Sequence, residues 1–228
     1  MKKIVVLSGA GMSAEGGINT FRDANGLWEG HDVMEVASPL GWQKDKEKVL
    51  DFYNKRRAQL LEVFPNEAHK ALVMLEKKYE VTIITQNVDD LHERAGSSQV
   101  LHLHGELLKV RSTKNPNLIY DWKKELILGD FCEENSQLRP HIVWFGENVP
   151  LFDKALEITS EADILMIVGT SMQVYPAAHL INYAKPEIPI YFIDPKPEIQ
   201  QNLYSNLTVY AEKASIGVAK IVNQLIGL

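Results

Sequence analysis

Gly9-Ala10-Gly11-Met12-Ser13-Ala14 follows the apolar burst Ile4–Leu7 and matches the pattern G-x-G-x-x-G/A. Glycines at this spacing let a backbone turn tightly and approach a pyrophosphate, and a helix starting there offers unpaired N–H groups to it. The same letters also describe a glycine-rich tight turn with no ligand. A dinucleotide unit of the usual kind places an acid at the end of a second strand about 20 residues on. Here Ile18-Asn19-Thr20-Phe21-Arg22-Asp23 leads into a loop instead. Thr85-Gln86-Asn87-Val88-Asp89-Asp90 closes a second strand-like run, which puts amide and carboxylate side chains at the carboxyl end of a sheet strand, where ligands bind in open α/β folds. His102-Leu103-His104-Gly105-Glu106 closes a third. An extended chain would put His102 and His104 on one face, as a metal pair or as two structural histidines; no third ligand is identifiable.

The elements that must position these groups are legible as apolar bursts at Ile4–Leu7, Val81–Thr85, Val100–Leu103, Ile142–Phe145, Ile164–Val168 and Ile188–Ile193. Their apolarity is continuous rather than alternating, which suits strands covered on both faces. Glu67 to Tyr79 carries Ala68, Ala71, Leu72 and Leu75 on one helical stripe, and Lys154–Ser160 and Ala177–Tyr183 read similarly. Strand and helix alternation predicts an α/β fold built on an open, mainly parallel sheet. Two stretches break the rhythm: a long helix over about Lys44 to Leu61, and the polar segment 111–139. The expected division is a large lobe of about 1–28, 80–110 and 140–228, and a smaller inserted lobe of about 29–79 and 111–139, within one domain.

Composition narrows the function classes. The chain has 228 residues, 45% hydrophobic and 24% charged, enough to bury a core and too apolar for disorder. Thirty acids against 24 bases give a net charge of −6, with no basic stripe longer than Lys55-Arg56-Arg57, so nucleic acid is not the expected ligand. The single cysteine, Cys132, excludes an intrachain disulfide and any multi-cysteine zinc site. No run approaches the roughly 18 apolar residues of a membrane span, and Ile4–Leu7 is too short for the core of a signal peptide. The reading is a soluble cytoplasmic protein with no membrane partner.

Residues 9–23 (GAGMSAEGGINTFRD), 85–90 (TQNVDD), 102–106 (HLHGE), 142–147 (IVWFGE) and 169–171 (GTS) together resemble the ordered motif set of the sirtuins, the NAD-dependent protein-lysine deacylases. The resemblance spans most of the chain and implies a Rossmann-like lobe that binds NAD plus a smaller lobe. It implies that Ala10, Gly11 and Ala14 line the dinucleotide, with Arg22 near the pyrophosphate and Phe21 shielding the ribose. Gln86 would hold ribose hydroxyls, and Asn87 and Asp89 would position the ribose and the nicotinamide amide. Gly169, Thr170, Ser171 and Asp194 would face the adenosine side. His104 would be the general base, acting with Asn87 as the catalytic pair. Val143, Phe145, Gly146 and Glu147 would pair with an extended acyl-lysine peptide as an added strand. The implied products are nicotinamide, O-acyl-ADP-ribose and free lysine.

Tyr53 and Arg56, at i,i+3 on the predicted helix, put a phenol and a forked donor on one face, where they could bind a carboxylate. The plain alternative is a solvated Lys-Arg-Arg run. Within the sirtuin resemblance this pair, with Ala37 as the small pocket residue, is similar to the signature of members that remove succinyl and malonyl groups, and bacterial members of that subgroup also remove acetyl. The chain departs from the family where two cysteine pairs usually hold zinc: Ser112-Thr113-Lys114 follow Val110-Arg111, and only Cys132 remains, so no zinc is expected. Phe192 stands where the family usually has an asparagine near the adenosine ribose. Two other function classes share parts of the pattern. An NAD hydrolase or ADP-ribosyltransferase would need neither the peptide segment nor Tyr53 and Arg56, and a non-catalytic NAD sensor would need neither His104 nor Asn87.

Overall fold

The computed structural model describes residues 1–18, 27–28, 30–200 and 204–227. Phe21 and Arg22 lie outside the described residues. The chain begins with β1 (Lys3–Ser8), α1 (Ala10–Ala14), a short ribbon of β2 (Leu27–Trp28) and β3 (His31–Asp32), and the helices α2 (Val33–Val36), α3 (Pro39–Lys44) and α4 (Lys46–Glu62). It continues through α5 (Glu67–Leu75), β4 (Glu80–Thr85), α6 (Leu91–Ala95), β5 (Val100–His102), β6 (Gly105–Ser112), β7 (Ile119–Asp121) and β8 (Leu138–Ile142). The last part is α7 (Phe152–Glu161), β9 (Ile164–Val168), a 3-10 helix Ala177–Tyr183, β10 (Ile190–Ile193), β11 (Leu207–Tyr210) and α8 (Ala214–Ile226). Among the described residues no helix is long and apolar enough to cross a membrane.

Six strands form a parallel sheet in the order β11-β10-β9-β1-β4-β5. Continuous apolarity is what this arrangement demands. Ile4 and Val6 of β1 pack on one face with Val81, Ile83, Met166 and Val168 against α5 and α8. Val5 and Leu7 pack on the other, with Ile84, Leu165 and Ile167 against Ala155 of α7 and the 3-10 helix. Strand order reverses at β1: the chain runs outward to β4 and β5, then returns to β9 on the other side. Ligands bind outside the carboxyl ends at such a switch point.

The helical stripe Ala68, Ala71, Leu72 and Leu75 is buried in the sheet's own core, so α5 covers the parallel sheet and does not belong to the smaller lobe where 29–79 was placed. Residues 105–110 and 140–142 move the other way, into a three-stranded antiparallel sheet of order β7-β6-β8. Gly105 makes that departure: at φ +85 it turns the chain out of the parallel sheet, and a Cβ there would lie 2.0 Å from the carbonyl oxygen of His141. The expected strand Ile142–Phe145 is displaced; β8 ends at Ile142. A separate core joins this small sheet to the α2–α4 module through Val36, Trp42, Phe52, Tyr53, Leu107, Leu138 and Trp144.

Hydrogen bonds hold the segment 111–139 where cysteines would otherwise clamp a metal. Ser112 Oγ accepts from the amides of Lys114 (3.2 Å) and Asn115 (3.1 Å), and Thr113 Oγ1 meets Ser136 Oγ at 2.7 Å. Cys132 N–H donates to Ser136 O at 2.9 Å. Asn54 of α4 exchanges two bonds with Leu126, at 3.0 and 2.9 Å. Arg57, 1% exposed, donates to Leu107 O, Asn54 Oδ1 and Lys124 O. Bonds such as these order a segment without a metal. The purified protein is expected to carry no stoichiometric zinc and to keep its activity under chelators. Elemental analysis with and without chelation decides it: one zinc per chain, lost together with activity, is the contrary result.

His69 and His92 meet edge to face under the sheet's carboxyl end, ring centroids 4.8 Å apart, both 0% exposed. Burial lowers His69 to about 4 and holds His92 well below the usual imidazole value, with His69 adding to the effect. Their folded pKa values lie below the unfolded one, so the unfolded chain binds more protons as pH falls. The stability is full above about pH 6.5 and is lost progressively toward pH 4, His69 alone accounting for about 3 kcal/mol. Urea unfolding at pH 7.5 and 4.5 should show a lower midpoint in acid; an unchanged midpoint would refute the linkage.

Candidate active site

Two loops close on each other at the switch point. Gly9 N–H donates to Val168 O at 3.0 Å and Gly11 N–H to Gly169 O at 2.8 Å, so the β1–α1 turn and the turn after β9 touch through bare backbone. A Cβ on Gly11 would lie 2.7 Å from Gly169 Cα, and Gly169 holds φ +63. Gln86 Nε2 crosses this mouth and donates to Thr170 Oγ1 at 3.1 Å. Ala10 and Gly11 are partly open, Ala14 is exposed, and Ser171 is partly open. Asp194 lies just beyond β10, 2% exposed, accepting from Lys196 N–H at 2.9 Å. Phe192, by contrast, is 1% exposed inside the core and takes no place at this mouth. Glycines here let two loops close on each other at the switch point, and amide and hydroxyl groups stand at their rim, an arrangement that fits a pyrophosphate-bearing dinucleotide.

Asn87 is locked by its neighbours. Its backbone N–H donates to Thr85 Oγ1 (3.0 Å), and both side-chain amide hydrogens are used, on Gly9 O and Ser13 Oγ at 3.1 Å each. Among the described residues Oδ1 accepts no hydrogen bond. Ser13 Oγ donates a hydrogen bond to Asp89 Oδ2 at 2.9 Å, and Asp89, 5% exposed, is raised above the usual carboxylate range by burial despite that bond and one from Leu91 N–H. Behind Asn87, Thr85 Oγ1 accepts from Ser8 Oγ, which meets His92 Nε2, each at 2.9 Å. Ser8, Ser13, Thr85 and His92 were not singled out from sequence. The signal was there: Ser8 and Thr85 are the polar residues ending two apolar strands, and they pair in register.

The two histidines of HLHGE part company, because β5 ends at His102 and a turn carries His104 away. His102 is 8% exposed and fully engaged, Nε2 with Glu93 at 2.7 Å and Nδ1 with Asn87 O at 3.1 Å. Burial opposes its charge, but the Glu93 carboxylate, Glu106 and the Asn87 carbonyl together outweigh that and raise its pKa. It is an ion-pair partner, not half of a metal pair, and among the described residues no three His, Cys, Asp or Glu groups are gathered to hold a metal. His104 is half-buried, and its Nδ1 faces Gln86 O at 3.0 Å. A carbonyl only accepts, so Nδ1 carries the proton and Nε2 keeps its lone pair. Burial lowers the His104 pKa, the Gln86 bond partly opposing it, so the ring is a neutral base at pH 7.

Residues 143–147 leave β8 and turn, with Gly146 at φ +89, rather than continuing as a strand. Val143 N–H donates to His104 O and Phe145 N–H to Ala37 O, each at 2.9 Å. Glu147 N–H donates to Trp144 O, and Trp144 N–H to Glu147 Oε2 at 2.8 Å. Four amides of the segment are thus used within the chain, and the Trp144 carbonyl accepts one of them. The Glu147 carboxylate is held by Arg139 (2.6 Å) and Arg111 (3.3 Å), so its side chain orders the loop. Ala37, 2% exposed, and Tyr53, 0% exposed, share one core. Arg56 is half-buried, its guanidinium 4.7 Å from the Phe52 ring centroid. The run Lys55-Arg56-Arg57 is no solvated stripe: Lys55 pairs outside with Asp51 at 2.7 Å, and Arg57 is buried.

Comparison with known proteins agrees with this geometry. Residues 9–176 match the model of the Sir2 family. A Helicobacter pylori protein named NAD-dependent protein deacylase is 61% identical over 226 residues, covering 99% of this chain and 98% of its own. A solved Sir2 homologue in complex with NAD superposes with a TM-score of 0.88 at 38% identity, over 99% of this chain and 90% of that one. A Sir2 protein bound to acetylated peptide superposes with a TM-score of 0.79 at 28% identity, over 98% and 93%. With the glycine cradle, the locked asparagine and the neutral histidine gathered at one switch point, this chain belongs to the Sir2 family.

Proposed function

We propose that this chain is an NAD-dependent protein-lysine deacylase that accepts succinyl- and malonyl-lysine and also acetyl-lysine. The observation that carries the reading is the bond from Val143 N–H to His104 O, which joins the peptide-pairing segment to the candidate base. The names of the relatives and the NAD and acetylated-peptide complexes support it. Bound NAD supplies an anomeric ribose carbon with nicotinamide as leaving group, so the products are nicotinamide, O-acyl-ADP-ribose and free lysine.

The chain's residues divide that work. Gly9, Gly11 and Gly169 let the two loops close where the pyrophosphate binds; Ala10, Ala14, Thr170, Ser171 and Asp194 line its flanks, with Phe21 and Arg22 assigned on resemblance alone. Asn87 and Asp89 orient the ribose and the amide, and holding reacting groups in place is where most of the rate comes from. Gln86 holds ribose hydroxyls. His104 Nε2 accepts a proton from one of them. Val143, Phe145 and Gly146 align the peptide by main-chain bonds, with Glu147 ordering the turn. Ala37 leaves space beside Tyr53 and Arg56, which receive the carboxylate of an acidic acyl group.

Mass spectrometry of the purified protein with NAD and one peptide bearing acetyl, malonyl, succinyl or longer acyl groups tests the whole reading. The expected result is free lysine together with O-acyl-ADP-ribose. Free ADP-ribose without peptide turnover would mean an NAD hydrolase, and no turnover of either would mean a sensor.

A further inference from the structure

Tyr53 and Trp144 stand 91 residues apart in sequence and meet inside the smaller core. Trp144 Nε1–H donates to the Tyr53 hydroxyl at 3.0 Å. Both side chains are buried, 2% and 0% exposed. Neither ring can swing freely. The Arg139 guanidinium lies 3.3 Å from the Trp144 ring centroid, and Trp42 packs on the same indole at 5.7 Å. Phe52 and Trp28 pack edge-on against Tyr53 at 5.1 and 6.3 Å. Among the described residues the hydroxyl's own proton has no acceptor.

A phenol O–H lies near the plane of its ring and has two orientations there. An indole N–H fixed at one side of the oxygen excludes the orientation that would aim one proton at another. The remaining orientation presents the hydroxyl as a donor only. Burial raises the phenol above its usual pKa, so it stays protonated beside an anion.

We infer that Trp144 is a specificity-determining positioning residue: its indole N–H occupies the Tyr53 oxygen and turns the phenol's proton toward the carboxylate of an acidic acyl group. An acetyl methyl has no use for that proton. Trp144 also belongs to the peptide-pairing segment, its own amide bonded to Glu147, so the loop that aligns the peptide sets the acyl selector as well. This rests on the reading of Tyr53 and Arg56 as a carboxylate site.

The experiment measures kcat/KM with succinyl- and acetyl-lysine in one peptide sequence, for the parent, Trp144→Phe, Tyr53→Phe and the double variant. Trp144→Phe is expected to lower succinyl efficiency about 3- to 10-fold and acetyl efficiency far less. The double variant should be no worse than Tyr53→Phe on succinyl, because both remove the same directed proton. If Trp144→Phe does not fold, benzothienylalanine at 144 replaces the N–H by sulfur in the same shape and gives the same comparison. Equal losses on both acyl groups, or losses that multiply in the double variant, overturn the role of Trp144. Should the parent lack succinyl and malonyl activity, the carboxylate reading fails and this inference with it. A parent that desuccinylates and loses this in Arg56→Met, while Trp144→Phe keeps full selectivity, refutes the inference alone.

Discussion

His104→Ala is expected to lower deacylation by about two to four orders of magnitude, the usual range for loss of a general base, while NAD still binds. The two effects separate because the histidine and the glycine cradle are separate constructions. The cradle is backbone against backbone between Gly9, Gly11 and Gly169, whereas His104 is held by the Gln86 carbonyl. Calorimetric titration with NAD and mass spectrometry of the acyl product read the two quantities independently. Parental turnover in His104→Ala would remove the assignment. The pH profile gives a second check. The neutral ring is the active form, and burial lowers its pKa from the usual 6.5. The acid limb of kcat/KM should therefore lie below pH 6.5, activity falling as pH drops through the lowered value. A limb above 6.5 would show that a different group limits the reaction.

Arg56→Met is the second large effect. A succinyl or malonyl carboxylate gains a charge-assisted contact from the guanidinium, worth about 1.5 to 3 kcal/mol in a partly desolvated site. Its loss should lower efficiency for succinyl-lysine by roughly one to two orders of magnitude. Acetyl-lysine should change far less, since a methyl makes no such contact. Arg56→Lys should restore only part, because a point charge lacks the planar fork. Equal losses for both acyl groups would make Arg56 a packing residue of α4, where its guanidinium already lies over Phe52.

Much of this was legible in order and type. The bursts Ile4–Leu7, Val81–Thr85 and Ile164–Val168 became the three central strands of the sheet, because a strand covered on both faces is mostly apolar on both. The strands β6, β7 and β11 were missed. They lie at a sheet edge or in a half-covered sheet, so residues such as Lys109, Arg111 and Thr208 interrupt the apolar run. Helix α5 was recognised by its stripe, yet a stripe names a buried face and not the layer that buries it, so its lobe was misplaced.

The sequence by itself determined the alternation of buried strands and helices, the order of the five motifs, and the absence of cysteine partners for Cys132, since these depend only on residue type and spacing along the chain. Tertiary structure alone decided which polar atoms meet. It separated His102, paired with Glu93, from His104, whose Nε2 stays a free base. It divided Lys55, Arg56 and Arg57 among a surface pair, a guanidinium stacked on Phe52 and a buried anchor. It also joined Tyr53 to Trp144. The physical reason is range. Periodicity reports which way a side chain faces, whereas a buried hydrogen bond needs its partner within about 3 Å, and that partner is supplied by a distant part of the chain through the way strands and helices pack.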